Sequence, residues 1–212
     1  MHSSKLPDEV TQVFTSEDFN ESILYPEERI LCKDYDVKRK QDFIRGRHCA
    51  HHCLALNHLK SPVLRGSEGE PKWPNGWTGS ISHGHFLTGA ILAKTTHFKS
   101  VGIDIELIGR ITPDLWPVLF TQKEMDHLNA IPTLDQPQIS TVLFSIKEAY
   151  YKMNFQLNKQ FIDAHDIEVF IDQKEEPRIK TSTRIDSEVT PITYVEQEGL
   201  NVIAFVLVGN NQ

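Results

Sequence analysis

The sequence has no long hydrophobic run. Its longest uninterrupted one, Val202–Val208, has seven residues, whereas a helix needs about 20 to cross a bilayer. The first twenty residues also lack the apolar core of a signal peptide. We therefore expect a cytoplasmic protein without a membrane span, in which the short run forms a buried strand.

Cysteine is scarce, and basic residues are fewer than acidic ones, 22 against 29. The three cysteines, Cys32, Cys49 and Cys53, are an odd number in a chain of 212 residues, which is long enough to fold without disulfides. Reduced thiols are therefore expected. The net charge of −7 argues against nucleic acid as a partner, so any anionic ligand must be bound by a local basic patch.

The signature of a serine hydrolase is missing. No G-x-S-x-G segment occurs in the chain. Ser82 and His83 are adjacent in a predicted strand, where neighbouring side chains point to opposite faces. They are therefore poorly placed to act as nucleophile and base.

A zinc site has partial support only. His48, His51 and His52, with Cys49 and Cys53, have the i, i+4 spacing that zinc ligands on a helix can show. No glutamate follows His48 to complete H-E-x-x-H, and nothing selects a fourth ligand. We expect these side chains to be half-exposed residues of a helix.

Two long helices are predicted. One runs from Asp36 to about Leu59, ended by Pro62, and carries a cluster of basic residues in its first half. The other begins near Pro137 and has apolar residues at helical spacing. Those residues are Ile139, Val142, Leu143, Ile146, Tyr150 and Met153.

Strand patterns surround the helices. Gly79–His83 and Leu87–Ala93 are predicted to pair around a turn at Gly84, and Val101–Glu106 alternates as a strand. Three or four further strands are expected between Asp166 and Val208. The polar connector 94–100 predicts two halves, residues 1–97 and 98–212, each with a long helix and several strands.

Two carboxylates lie on one strand face. The period of two places Asp104 and Glu106 together, with Ile103 and Ile105 on the core face. A hard cation such as Mg²⁺ would relieve their repulsion, because carboxylate oxygens are its preferred ligands. The alternative from spacing alone is a solvated acidic strand.

Two further segments carry charged or phosphate-binding groups. Glu148 and Lys152 are four residues apart, so they share a helix face, and a surface ion pair is the simpler explanation of their spacing alone. The strand end Ser82-His83-Gly84 offers backbone N–H groups, a hydroxyl and an imidazole at one turn, which is a plausible phosphate-binding corner.

Taken in order, five segments resemble the Sfp-type 4′-phosphopantetheinyl transferases, in particular the branch of enterobactin synthetase component D. The resemblance spans residues 43 to 152, and it favours the functional interpretation of both carboxylate motifs. The matching segments are Phe43-Ile44-Arg45-Gly46-Arg47, Trp73-Pro74-Asn75-Gly76, Gly79-Ser80-Ile81-Ser82-His83, Gly102-Ile103-Asp104-Ile105-Glu106 and Phe144–Lys152.

The resemblance implies a fold and an activity. The fold is a mixed α/β (α+β) arrangement of two pseudo-twofold-related halves, each with a long helix on a small, mainly antiparallel sheet, in a monomer. The activity is transfer of 4′-phosphopantetheine from coenzyme A to a serine of an apo acyl or peptidyl carrier protein, with Mg²⁺ as cofactor. A coenzyme A-binding or carrier-binding protein without catalysis, and a metal-dependent phosphohydrolase, are the alternatives.

The resemblance also assigns roles to residues. Asp104, Glu106 and Glu148 would hold Mg²⁺, with Asp104, Glu148 and Lys152 catalytic, and either Glu148 or a metal-bound water would take the serine proton. Lys152 would also contact phosphate. His83 would contact the 3′-phosphate of coenzyme A, with Ser82 beside it. Arg47, Arg39 and Arg45 would bind coenzyme A phosphates from the first helix.

Two positions depart from the family. Phe144 stands where many members have tryptophan, and Glu70 stands where some relatives have a lysine that contacts the 3′-phosphate. Lys72 is a nearby substitute. Which basic residues bind the 3′-phosphate, and which carrier protein is modified, are left open.

Overall fold

The computed structural model describes residues 6–171, 178–181 and 191–210. Within this part the α-helices are Pro26–Leu31 (α1), Val37–Leu56 (α2), Trp116–Leu119 (α3), Gln122–Ala130 (α4) and Gln136–Asn158 (α5). The strands are Val10–Thr15 (β1), Leu64–Arg65 (β2), Pro71–Lys72 (β3), Trp77–His83 (β4), Thr88–Lys94 (β5), Phe98–Leu107 (β6), Ile167–Phe170 (β7), Arg178–Thr181 (β8), Ile192–Glu198 (β9) and Asn201–Gly209 (β10).

Two three-stranded antiparallel sheets form the framework. The first has the order β1-β5-β4 and the second β6-β10-β9. Two short hairpins, β2-β3 and β7-β8, accompany them. The predicted pair around Gly84 is confirmed, because β4 and β5 pair antiparallel and Gly84 N–H donates to the carbonyl of Leu87 at the turn. Among its described residues, the tail contains the four strands β7 to β10.

The first long helix is shorter than predicted. Asp36 caps α2 by accepting a hydrogen bond from the backbone N–H of Arg39, as the sequence suggests. The helix ends at Leu56 rather than near Leu59, because Asn57 turns its amide back to the carbonyl of Cys53 and His58 has a φ of 60°. Pro62 therefore lies beyond the end of the helix instead of causing it.

The second long helix agrees with its predicted start and buried face. Helix α5 has Pro137 in its first turn, and the apolar residues expected to face the core are buried apart from the half-buried Ile139. Thr121 and Glu124, which have the T-x-x-E spacing of a capping box, form one at the start of α4. Local sequence therefore predicts these helix starts correctly.

Each sheet has a helix on one side and the other sheet on its second side. In β5, Ala90 and Leu92 pack with α2, whereas Ile91 and Ala93 pack with residues of the second sheet. The side chains of β6 also point alternately to its two faces, and Ile103 and Ile105 lie in the apolar cluster between the sheets. The intervening residues, including Asp104, are therefore left for the face that carries α5.

The predicted fold class is confirmed as mixed helix with mainly antiparallel sheet, each sheet carrying one long helix. The connector between the halves is short: β5 ends at Lys94, a turn covers residues 95–97, and β6 begins at Phe98. The division into residues 1–97 and 98–212 stays a prediction. No helix among the described residues combines the length and apolarity required to cross a membrane.

The three thiols are buried and free, as expected for reduced cysteines. Cys49 and Cys53 are fully buried against the first sheet, so the expectation that they would be half-exposed is wrong. Trp73 and Trp77 pack against the same cluster.

Candidate active site

Three predicted residues meet in direct contact. Lys152 Nζ donates to Asp104 Oδ1 at 2.7 Å and to Ser82 Oγ at 3.0 Å, and Ser82 Oγ donates to Asp104 Oδ1 at 3.0 Å. Ser82 also accepts the backbone N–H of Ile105. The residues come from β4, β6 and α5, so this cluster joins the two halves of the chain.

Close packing of α5 on β6 brings Lys152 to Asp104. A Cβ on Gly102 would lie 1.9 Å from the carbonyl oxygen of Ala149, so only glycine permits this approach. Ser100 Oγ donates to the carbonyl of Met153, and Gln156 Nε2 donates to the carbonyl of Val101. These contacts fix the helix along the strand.

The three predicted metal ligands influence one another electrostatically. Burial, with the negative charges of Asp104 and Glu148, raises the pKa of Glu106 to about 7. Burial and the charge of Asp104 also raise the pKa of Glu148, against the opposing effect of Lys152. Such mutual repulsion is what a bound cation relieves.

A metal-binding group is not assembled as the side chains stand. Within the part of the chain that the structure describes, no three histidine, cysteine, aspartate or glutamate side chains are grouped so that they could hold a metal ion. Lys152 occupies one oxygen of Asp104. The other, Oδ2, is buried without a hydrogen-bond partner, and an all-carboxylate donor set fits a hard cation.

His83 ends β4 beside the first long helix. A Cβ on Gly46 would lie 2.6 Å from Cε1 of His83, so this helix glycine makes room for the ring. The imidazole is partly open to solvent, yet crowding by protein, followed by the positive charges of Lys152, Arg47 and Arg45, lowers the pKa of His83 to about 4. The ring is therefore neutral near pH 7 unless an anion binds.

The three predicted arginines of α2 have different surroundings. Arg47 is 7% exposed, its Nε lies 3.7 Å from Glu28 Oε1, and burial lowers its pKa to about 10. Arg45 is paired with Asp42 and Asp18. Arg39 is exposed and stacks on the ring of Tyr35. Arg47 and Arg45 thus lie close enough to influence His83, whereas Arg39 is not among the charges that lower the pKa of His83.

Lys147 and Glu148 are neighbours in sequence but face different surroundings. Lys147 is 2% exposed and donates to Glu124 Oε2 at 2.6 Å, and to the carbonyls of Leu119 and Ala164. Burial lowers its pKa against the opposing effect of Glu124. This buried pair fixes the rotation of α5, which leaves Glu148 and Lys152 on the face toward β6.

Glu70 has a structural partner. It accepts a hydrogen bond from Lys159 Nζ at 2.8 Å, and that contact lowers the pKa of Glu70. The pair spans from the β2-β3 hairpin to the end of α5. A cleft of about 190 Å³ lies there, lined by β4, Lys152, Tyr151 and Phe155. Lys72, the suggested substitute, lies in β3 and is exposed.

The histidines with zinc-ligand spacing have other contacts. His51 Nε2 lies 2.9 Å from Glu28 Oε1, and His52 Nδ1 lies 3.1 Å from the carbonyl of His48. In residues 6–171, where all five of those side chains lie, no metal-binding group is found.

Sequence reasoning missed Glu28, Tyr35 and Arg65, which surround the basic residues of α2. Glu28 is fully buried beside Arg47, and Arg65 Nη1 donates to Tyr35 Oη at 3.1 Å. No local pattern marks these residues, since their partners lie on other elements. Gly46 did carry a signal, because a glycine inside a helix is unfavourable unless packing requires it.

The fold and the site together define an α+β protein with a basic cluster and a carboxylate cluster between its two three-stranded sheets and their long helices. Residues 27–93 match the 4′-phosphopantetheinyl transferase N-terminal domain, and residues 100–204 match the 4′-phosphopantetheinyl transferase superfamily. The chain therefore belongs to the 4′-phosphopantetheinyl transferase superfamily, and the resemblance inferred from its motifs is confirmed.

Individual relatives are similar over part of their length. The chain is 35% identical over 148 residues to the 4′-phosphopantetheinyl transferase PptT of Mycobacterium tuberculosis, covering 66% of this chain and 63% of that protein. It is 33% identical over 117 residues to enterobactin synthase component D of Salmonella typhimurium, covering 54% of this chain and 48% of that protein. The chain thus spans less than two thirds of these relatives.

A solved structure is also similar. It is a holo-(acyl-carrier-protein) synthase from Bacillus anthracis in complex with coenzyme A (3′,5′-ADP), 22% identical with a TM-score of 0.45, covering 54% of this chain and 99% of that chain.

Proposed function

We propose that this chain transfers 4′-phosphopantetheine from coenzyme A to a serine of an apo carrier protein, in a reaction that depends on a divalent metal. The observation that carries the proposal is the Asp104–Lys152–Ser82 cluster between the halves, with a buried and unpartnered Asp104 oxygen. Membership of the transferase superfamily supports it.

Asp104, Glu106 and Glu148 are the proposed ligands of Mg²⁺. Their oxygens suit a hard cation. Burial first, and then the negative charge of Asp104, raises the pKa values of Glu106 and Glu148. When bound, the metal would neutralise charge on the coenzyme A pyrophosphate. Lys152 would then exchange its contact with Asp104 for a phosphate oxygen.

The basic residues are proposed to bind coenzyme A. His83 on β4 and Arg47 on α2 lie near each other. Neither side chain forms a hydrogen bond with another described residue. Ser82 positions Lys152. Arg45 contributes positive charge, although it is already paired with two aspartates.

The transfer step is a single substitution at phosphorus. The carrier serine oxygen attacks the β-phosphorus in line, the bond from that phosphorus to the bridging oxygen breaks, and 3′,5′-ADP leaves. Glu148 takes the serine proton, and positioned base catalysis of this kind contributes about 10²–10⁴-fold. Lys152 offsets charge on the leaving group.

The transfer is tested with the chain, coenzyme A and a panel of apo carrier proteins from fatty-acid, polyketide and nonribosomal peptide synthesis. We expect a mass increase of the carrier by one phosphopantetheine, loss of the reaction with a chelator, and recovery with Mg²⁺ or Mn²⁺. Binding of coenzyme A without transfer would instead indicate a binding protein. Release of 3′,5′-ADP without a carrier would indicate a phosphohydrolase.

Substitutions separate catalysis from stability. Asp104→Ala and Glu148→Ala should lower the transfer rate by about 10²-fold or more with little change in melting temperature. Lys152 keeps Ser82 and the Ile103 carbonyl as partners, and removing one acid relieves repulsion. Glu198→Ala, an exposed acid of β9, is the matched control. Near-normal rates for both site variants would refute the proposal.

A further inference from the structure

Two aromatic rings, one just before the first long helix and one within it, each stack with an arginine of that helix. Tyr35 and Phe43 pack edge to face with ring centroids 5.8 Å apart. The guanidinium of Arg39 lies 4.3 Å from the Tyr35 ring centroid, and that of Arg47 lies 4.3 Å from the Phe43 centroid. Stacking on an aromatic face holds a guanidinium while leaving its N–H donors available.

A third arginine reaches the same group from the β2-β3 hairpin. Arg65 Nη1 donates to Tyr35 Oη at 3.1 Å, and the side chain folds over Gly69, where a Cβ would lie 3.0 Å from Nη2. Gly69 has a φ of 98°, so the hairpin turn itself favours glycine there. Arg65 is therefore held from two sides although it is exposed.

Positive charge in this cluster exceeds the nearby negative charge. Neither Arg39 nor Arg65 forms an ion pair with any carboxylate that the structure describes. Arg47 is more than nine-tenths buried, and its Nε has no hydrogen-bond partner. Arg65 adds to the repulsion that Arg47 experiences, while Glu28 opposes it. Like charges held this close are explained by an anionic ligand.

We propose that Arg65 binds a phosphate group of coenzyme A together with Arg39 and Arg47, and that Tyr35 is the positioning residue for Arg65. The inference rests on the proposed function and adds a residue from the hairpin to the basic cluster. It also explains how the chain can have Glu70 where some relatives have a lysine. The Glu70 side chain is paired with Lys159, and Arg65 supplies the positive charge of this hairpin instead.

The test measures binding, so that it does not depend on transfer. Calorimetry compares coenzyme A and 3′-dephospho-coenzyme A on the wild type, Arg65→Gln and Tyr35→Phe, with Lys60→Gln as a control that removes an exposed positive charge elsewhere in the same half. We expect Arg65→Gln to weaken coenzyme A binding by about tenfold or more. Tyr35→Phe should weaken it less, and the control should match the wild type.

The comparison of the two ligands identifies the phosphate. If Arg65→Gln weakens the binding of coenzyme A but not that of 3′-dephospho-coenzyme A, Arg65 contacts the 3′-phosphate. If it weakens the binding of both ligands equally, Arg65 contacts the pyrophosphate. Either result supports the proposal. Wild-type affinity for both ligands in Arg65→Gln overturns it while leaving the proposed function intact. Absence of coenzyme A binding by the wild type overturns the proposed function, and this inference with it.

Discussion

At the scale of single residues, His83 shows how surroundings change a side chain whose type the sequence already supplies. Its pKa of about 4 lies below the ordinary 6.5 because protein crowds the ring and three cations surround it. The fold thus disfavours the charged ring. Between pH 6.5 and 4 the unfolded chain binds more protons than the folded one, so the contribution of His83 to stability falls as the pH decreases through this window.

Binding of coenzyme A should reverse this effect on His83. A 3′-phosphate, mostly dianionic at pH 6.5 because its second pKa is about 6, favours the imidazolium, so the ring should take up a proton when the ligand binds. We expect calorimetry in two buffers of different ionisation enthalpy to show proton uptake at pH 6.5 by the wild type and little by His83→Gln.

His97→Gln, a change at an exposed histidine in the turn before β6, is the control for that measurement. Equal proton uptake by the wild type and His83→Gln would mean that another group accepts the proton. In that case the assignment of His83 to the phosphate would fail.

At the scale of elements, the packing of α5 on β6 depends on one glycine. A Cβ at Gly102 would collide with backbone atoms of Ala149 and Met153, and backbone cannot move aside as a flexible side chain can. Gly102→Ala should therefore destabilise the fold by about 3 kcal/mol or more, at the upper end of overpacking costs. Denaturant unfolding measures this change.

The same substitution should also reduce the transfer rate of the molecules that remain folded, since it separates Asp104 from Lys152. Gly209→Ala is the matched control, because a Cβ there meets nothing within 4 Å and the residue also lies in a strand of the second sheet. Wild-type stability in Gly102→Ala would show that α5 is not held against β6 as closely as described.

At the scale of the whole molecule, the candidate site draws on both long helices and both three-stranded sheets. Ser82, His83 and Arg47 come from β4 and α2, whereas Asp104, Glu148 and Lys152 come from β6 and α5. A ligand that contacts both should stabilise them together, since binding to the folded state alone raises the free energy of unfolding.

Thermal unfolding should report this coupling. With Mg²⁺ and coenzyme A at 100 times its dissociation constant, stability should rise by about 2.7 kcal/mol, or roughly 5–10 °C for a chain of this size. A chelator should remove most of the shift, and so should Asp104→Ala. A shift of the same size with the chelator present would exclude a metal from coenzyme A binding.

The sequence by itself determined the features that depend on neighbouring residues. The capping box at Thr121, the buried face of α5, and the alternation that separates Asp104 from Ile103 follow from spacings of one to four residues. The ordered motifs also identified the family, because four of the five keep their residues within one helix or strand and the fifth lies in a single loop. The end of α2 was misplaced, because Asn57 stops the helix through its side chain. Strand β6 also begins three residues earlier than predicted.

Tertiary structure alone decided which distant residues meet. Lys147 pairs with Glu124 across 23 positions, Arg65 with Tyr35 across 30, and Glu70 with Lys159 across 89. Spacing cannot reveal such contacts, because they arise when separate elements pack and not from the period of any one of them. The motifs of the sequence predicted three carboxylates near one another. Only the packed chain shows that Lys152 lies against Asp104 and that the second oxygen of Asp104 has no partner.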